Sequence, residues 1–261
     1  MKKILMGAGL TLLLASCGGS DKTPPAAAVT SVSGTVVEAV TSSDEFNLKT
    51  TPWTGGKGQV VAKNVKDGSE LARGTLNADG SFSLALPTSV SSLQDPNFED
   101  WTGDSEGITG IKLTCTGTPS VSNKEARGTS AVLSAEANKK GAIHPTLFSG
   151  TDTDTSIQMT VKAGGLMYVD RDVQMTGTQT CTGSEGGVTE TITVKLEANL
   201  KAGWNLITAA YSQAVVKTGD RSGTVTTNLT LTSGGLPTDQ WVLGDSVAMP
   251  LGFKSTFGPL R

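Results

Sequence analysis

Apolar and polar side chains alternate with a period of two along much of this chain, the pattern of strands with one dry and one wet face. Val32 to Val40 (VSGTVVEAV) is a β-branched run, Gly58 to Val65 a second and Glu70 to Leu76 a third. Asn77-Ala78-Asp79-Gly80 reads as a turn whose Asp-Gly suits positive φ. After it Phe82, Leu84 and Leu86 share one face of a strand that Pro87 ends.

A polar, turn-rich stretch from Ser89 to Gly107 follows, with Asp95, Glu99, Asp100, Asp104 and Glu106 close together, and reads as an acidic loop over 91–107 joining two halves. Beyond it strands are expected at Ile108–Cys115, Ser130–Ala135, Ile157–Ala163, Met167–Met175, Val188–Leu196, Trp204–Tyr211, Ala214–Lys217 and Val225–Leu231. Ile157, Met159 and Val161 oppose Gln158, Thr160 and Lys162, while Ile192, Val194 and Leu196 oppose Thr191, Thr193 and Lys195, so each sheet has one wet face. Trp204–Tyr211 (WNLITAAY) is apolar on both faces and is the expected central strand.

The Gly34-Thr35-Val36 strand, the Gly58–Ala62 strand (GQVVA) and the Gly74–Leu84 hairpin (GTLNADGSFSL) together resemble the carboxypeptidase regulatory-like, or prealbumin-like, β-sandwich family. The resemblance covers about residues 31–90 and implies an accessory or adhesive Ig-like module without catalysis. The expected class is therefore all-β: an Ig-like sandwich over 31–90 and a second, antiparallel β-rich domain over 108–261, with little helix apart from the N-terminal leader.

That leader changes the functional picture. Lys2 and Lys3, an apolar stretch from Ile4 to Leu14 and the small residues Ala15 and Ser16 form the three-part layout of a secretory signal over 1–16. The run is shorter than the roughly 20 residues that span a bilayer core. Leu14-Ala15-Ser16-Cys17 resembles the lipobox of bacterial lipoproteins, which implies a diacylglyceryl group on the Cys17 sulfur and a new N-terminus there. Gly18 stands where, by the same resemblance, an aspartate would favour the inner membrane, so the expected address is the outer membrane if the cell has one, facing the periplasm or the surface. Residues 17–30 (CGGSDKTPPAAAVT) read as a tether.

Removing the 16 leader residues from 261 leaves 245, and removing Lys2 and Lys3 from 21 basic side chains leaves 19 against 24 acids, a net charge of −5 once the amine is acylated. No basic patch suggests a nucleic-acid partner. With Cys17 assigned to lipid, Cys115 and Cys181 form one even pair in an oxidising compartment, each in the same local sequence Thr-Cys-Thr-Gly, and a disulfide between them is expected.

Candidate chemistry is sparse. Gly103-Asp104-Ser105-Glu106-Gly107 matches G-x-S-x-G without the strand and helix a nucleophile elbow needs, and Gly244-Asp245-Ser246-Val247 resembles an esterase block with no histidine after it. The single histidine, His144, precedes Pro145 in an extended or turn segment and cannot alone supply a zinc or copper site. Asp170 and Asp172 alternate with Val169 and Val173, which puts both carboxylates on one side of a strand; they are either a solvated face or, in the glycosidase alternative, an acid pair. Asp152 and Asp154, and the acidic loop, are weak candidates for calcium, and no other cofactor is expected. Trp53, Trp101 and Trp241 could form a glycan-binding platform or plug the ends of the sandwiches. The expectation is a lipid-anchored, non-catalytic binding or scaffold protein with an envelope protein or glycan as partner; the alternative is a carbohydrate-binding module or a carboxylate-based carbohydrate-active enzyme.

Overall fold

A computed structural model describes residues 27–40, 47–94, 110–219 and 222–244. Cys17, the leader, Trp101, the serine of Gly103–Gly107, the acidic cluster and Asp245-Ser246-Val247 lie outside the described residues. Among those described there are sixteen strands and no helix. The first five are β1 (Ser31–Val40), β2 (Lys49–Pro52), β3 (Gly58–Asn64), β4 (Glu70–Leu76) and β5 (Ser81–Ala85). After the loop come β6 (Thr114–Thr116), β7 (Ser120–Val121), β8 (Gly128–Glu136), β9 (Lys140–His144) and β10 (Thr146–Asp152). Longer strands follow: β11 (Ser156–Val169), β12 (Val173–Glu185), β13 (Val188–Leu200), β14 (Gly203–Gly219) and β15 (Ser222–Ser233), then the short β16 (Gln240–Leu243).

Seven strands close into a ring in the order β3-β4-β5-β1-β16-β9-β8, with β8 returning to pair β3. An all-β body is as expected, but a closed barrel stands at residues 31–90 where a sandwich would be, and it draws β8, β9 and β16 from beyond the expected boundary. The physical reason lies in the edges. Strands β1 and β3 would each leave a row of backbone donors and acceptors unpaired, and β16 covers β1 in parallel, Val36 opposite Trp241, while β8 covers β3, Ala62 opposite Leu133. Every other pairing in the ring is antiparallel.

Inward-facing positions follow the period of two: Val32 and Val36, Val60 and Ala62, Phe82 and Leu84, Leu133 and Ala135 all belong to one buried core. Phe82 meets Trp241 edge to face at 5.5 Å and 80°. Gly34 sits under that indole, where a Cβ would come within 2.4 Å of the ring and 2.5 Å of the Asp239 carbonyl oxygen. Gly34→Ala is therefore expected to cost about 1–3 kcal/mol by overpacking, read as a lower denaturation midpoint with an unchanged m-value. An unchanged midpoint would show that Trp241 gives way freely. The Asp79-Gly80 turn forms as read, with φ +87° at Gly80 and the Asp79 carboxylate accepting from Ser81 N at 3.0 Å.

The barrel continues into a second sheet through β8. Its last residues pair β9, but Gly128–Ala131 pair Val169–Leu166 of β11. From there the order is β11-β14-β15-β13-β12, with β10 on the outer side of β11 and the short β6 and β7 along the edge of β12. β13 and β15 run parallel, Ile192 opposite Thr227, and the remaining pairs are antiparallel. β14 is a single strand of 17 residues where two were expected, and it is central between β11 and β15. Its two apolar faces have two burial partners: Trp204 and Leu206 belong to the barrel core, Ile207 and Ala209 to the core of the second sheet.

The expected strand Met167–Met175 is two strands. β11 ends at Val169 and β12 begins at Val173, so Asp170 and Asp172 lie in the turn between them rather than on one face of a strand. Both carboxylates serve that turn. Asp170 accepts from Arg127 N at 2.8 Å, and Asp172 accepts from Ala202 N at 2.9 Å and Lys201 Nζ at 2.7 Å.

Candidate functional site

The five long strands give the second sheet two chemically opposite faces. Strand pleating sends Val225, Leu229 and Leu231 of β15 inward, where they are buried, and Thr224, Thr226 and Asn228 outward, where they are exposed. The same division runs through β12 and β13: Val173, Met175 and Cys181 face in with Leu196, Ala198 and Leu200, while Thr178 and Thr182 face out. Threonine suits this place because its branched Cβ fits a pleated surface and its hydroxyl stays in water.

Register aligns these outward side chains into rows across the strands. One row reads Thr116, Thr180, Thr193, Asn228, Ser212, Thr160 and Ser149. The next reads Thr114, Thr182, Thr191, Thr226, Ala214, Gln158 and Thr151. Adjacent members of a row stand about 4.8 Å apart and successive rows about 6.8 Å apart along the strand. Three charged side chains stand on the outward positions of β10–β15, Lys162, Lys195 and Glu197, and the last two pair with each other at 2.7 Å. Neighbouring hydroxyls bond within the array, Ser184 to Thr189 at 2.9 Å and Ser120 to Thr176 at 3.1 Å.

The opposite face carries the cysteine pair. Cys115 of β6 lies directly across from Cys181 of β12 in the ladder and their sulfurs are bonded at 2.05 Å. Ile111 and Leu113 pack over Cys181 on this inner side. Buried polar groups occupy the same interior: Glu190 with no exposed surface, Gln179, Gln213, Thr227 and Tyr211. Burial raises the Tyr211 phenol above its ordinary value, while the Thr227 hydroxyl beside it pulls the other way.

The remaining candidates do not converge. His144 is half-buried at the end of β9, opposite Val242, and burial lowers its pKa. The backbone N–H of Arg127 holds Asp170 below the usual carboxylate range, and Lys201 does the same for Asp172. Asp152 ends β10 opposite Ile157, and Asp154 lies in the turn to β11. Among the described residues no three His, Cys, Asp or Glu side chains come together in a way that could hold a metal ion. Trp53 and Trp241 are buried in the barrel core, Trp53 donating from Nε1 to the Gly56 carbonyl at 2.8 Å, so neither ring is available to an exposed platform. Lys124, Glu125, Arg127, Asp170 and Arg171 line a shallow charged depression at the β11–β12 turn.

The hydroxyl face was visible in the sequence only as scattered alternation. Thr176, Thr178, Thr180 and Thr182, then Thr189, Thr191 and Thr193, are spaced for one face; what the spacing does not give is the register that lines one strand's threonines up with the next. No protein-family model, no curated protein and no solved structure matches this chain.

Proposed function

We propose that this is a non-catalytic binding or scaffold protein of a bacterial cell envelope, held at a membrane by lipid on Cys17, with the outward face of β10–β15 as its contact surface. The observation that supports the reading is the composition of that face: a broad array of short hydroxyl and amide side chains with very little charge. A surface built for solubility carries about 25–35% charged side chains, and depletion of charge is the compositional mark of an interface centre. The long strands supply a stiff support, since their backbone groups are engaged in the ladders on both sides and the hydroxyls are held in place before any partner arrives.

Two measurements test the reading. Cys17→Ser is expected to move the protein from the detergent phase to the aqueous phase, because acyl chains contribute about 0.8 kcal/mol per buried CH₂ and nothing else in the tether replaces them. Unchanged retention in detergent would refute lipid attachment. Mild cross-linking on intact membranes is expected to recover a specific envelope partner, joined through the β10–β15 face; recovery of nothing beyond background would count against a binding role.

A further inference from the structure

We infer that the partner of the outward face of β10–β15 is a neutral, hydroxyl-bearing polysaccharide chain lying across the strands, an inference that rests on reading that face as the contact surface. Three properties of the face exclude the other chemistries. An anionic polymer would look for cations, and of the two lysines on the face Lys195 is already paired with Glu197. An apolar partner would strip water from a row of hydroxyls and return no hydrogen bond, at about 1–3 kcal/mol for each group left unsatisfied. A protein interface centre is enriched in Tyr, Trp, Met and Arg, and none of these is exposed on the outward side of β10–β15: Tyr168 and Trp204, on the same pleat, are buried in the barrel core, and the exposed large apolar side chains there are Leu147 and Val216.

A polyol, by contrast, matches group for group. Each threonine hydroxyl both donates and accepts, as each sugar hydroxyl does, so a row can engage a saccharide chain in either direction. The threonine methyls meet the C–H faces of pyranose rings at the same time. The row from Thr116 through Thr193 to Ser149 crosses seven strands, which is about 29 Å at the ordinary strand spacing. The step from strand to strand is comparable with one pyranose unit of an extended chain, so weak contacts recur along the polymer and add through avidity. Sheets twist; a single flexible chain can follow a twisted row, whereas a flat crystalline surface cannot.

The test uses the detergent-solubilised full chain and two insoluble probes, amorphous β-1,4-glucan and amorphous chitin. Retention on at least one probe is expected. It should be insensitive to salt, since little counterion is displaced. Thr182→Glu with Thr226→Glu, two exposed positions in one row of the face, on β12 and β15, should lower retention about tenfold, because each carboxylate would be buried against neutral hydroxyls with no cation to meet it. A control with the same added charge on the barrel and its flanking hairpin, Thr50→Glu with Thr75→Glu, should be retained like the wild type. No retention on either probe, or equal retention of the two variants, overturns the proposal. A photo-cross-linking side chain at Asn228 in intact cells separates the two levels of the argument. A protein captured there, with no retention on glycan, refutes the polysaccharide and leaves the face as a contact surface; no adduct and no retention removes both.

Discussion

Reducing the Cys115–Cys181 disulfide, or replacing both cysteines with alanine, is expected to lower the stability of the protein by about 4 kcal/mol. The bond joins residues 66 apart in sequence, and in the chain-entropy account a closed loop of that length restricts the unfolded ensemble by about that amount. For a chain of this size the melting temperature should fall by roughly 8–16 °C. Part of the effect should be local. β6 pairs β12 through only three residues and β7 through two, so without the cross-link those edge strands have little to hold them. Amide exchange should then rise first over residues 110–121, and Ile111 and Leu113, which cover Cys181, should lose protection with them. The same melting curve with and without reductant, together with two free thiols by intact mass, would sink the prediction.

Local features of the chain were legible in its sequence, and long-range ones were not. Asp79-Gly80 specifies its turn within four residues, and the strict alternation of Phe82, Leu84 and Leu86 specifies a half-buried strand; both depend only on neighbours. The two apolar faces of Trp204–Tyr211 pointed to a central strand because burial on both sides leaves a mark on every residue. Barrel closure leaves no such mark. Val36 meets Trp241 through a parallel pairing between the first strand and the last, and a valine in a strand reads the same whichever strand lies beside it. Asp170-Arg171-Asp172 reverses the chain without glycine or proline, so the alternation of Val169 and Val173 with aspartates looked like one continuous strand. β9 and β10 were hidden for the opposite reason: Gly141, Pro145 and Gly150 interrupt the apolar pattern of strands that pair nonetheless. The hydroxyl face fell between these cases. Its threonines were legible strand by strand, and their alignment into rows is a property of register alone.

Trp204→Ala should cost about 4 kcal/mol, the usual range for an aromatic removed from a core, and its effect should reach both parts of the fold. Trp204 is 2% exposed. Its ring meets Tyr168 of β11 edge to face at 5.4 Å, and its Nε1–H donates to the Pro87 carbonyl at 2.9 Å. Val29 bridges to the Trp204 backbone, its N–H donating to the Trp204 carbonyl at 2.8 Å. Trp204 therefore joins the long sheet, through β14 and β11, to the barrel: its backbone holds the segment that enters β1, and its side chain holds the segment that leaves β5. Trp204→Phe separates the contributions: it keeps a ring against Tyr168 and leaves the Pro87 carbonyl without its donor, with an expected cost of about 1–3 kcal/mol. Because Leu166, Tyr168 and Trp204 belong to the same buried cluster as Val36, Phe82 and Leu133, barrel and sheet should melt in one cooperative transition that moves as a whole in both variants, with calorimetric and van't Hoff enthalpies equal. Two resolved transitions, only one of them shifted by Trp204→Ala, would mean that this shared core does not couple the two parts.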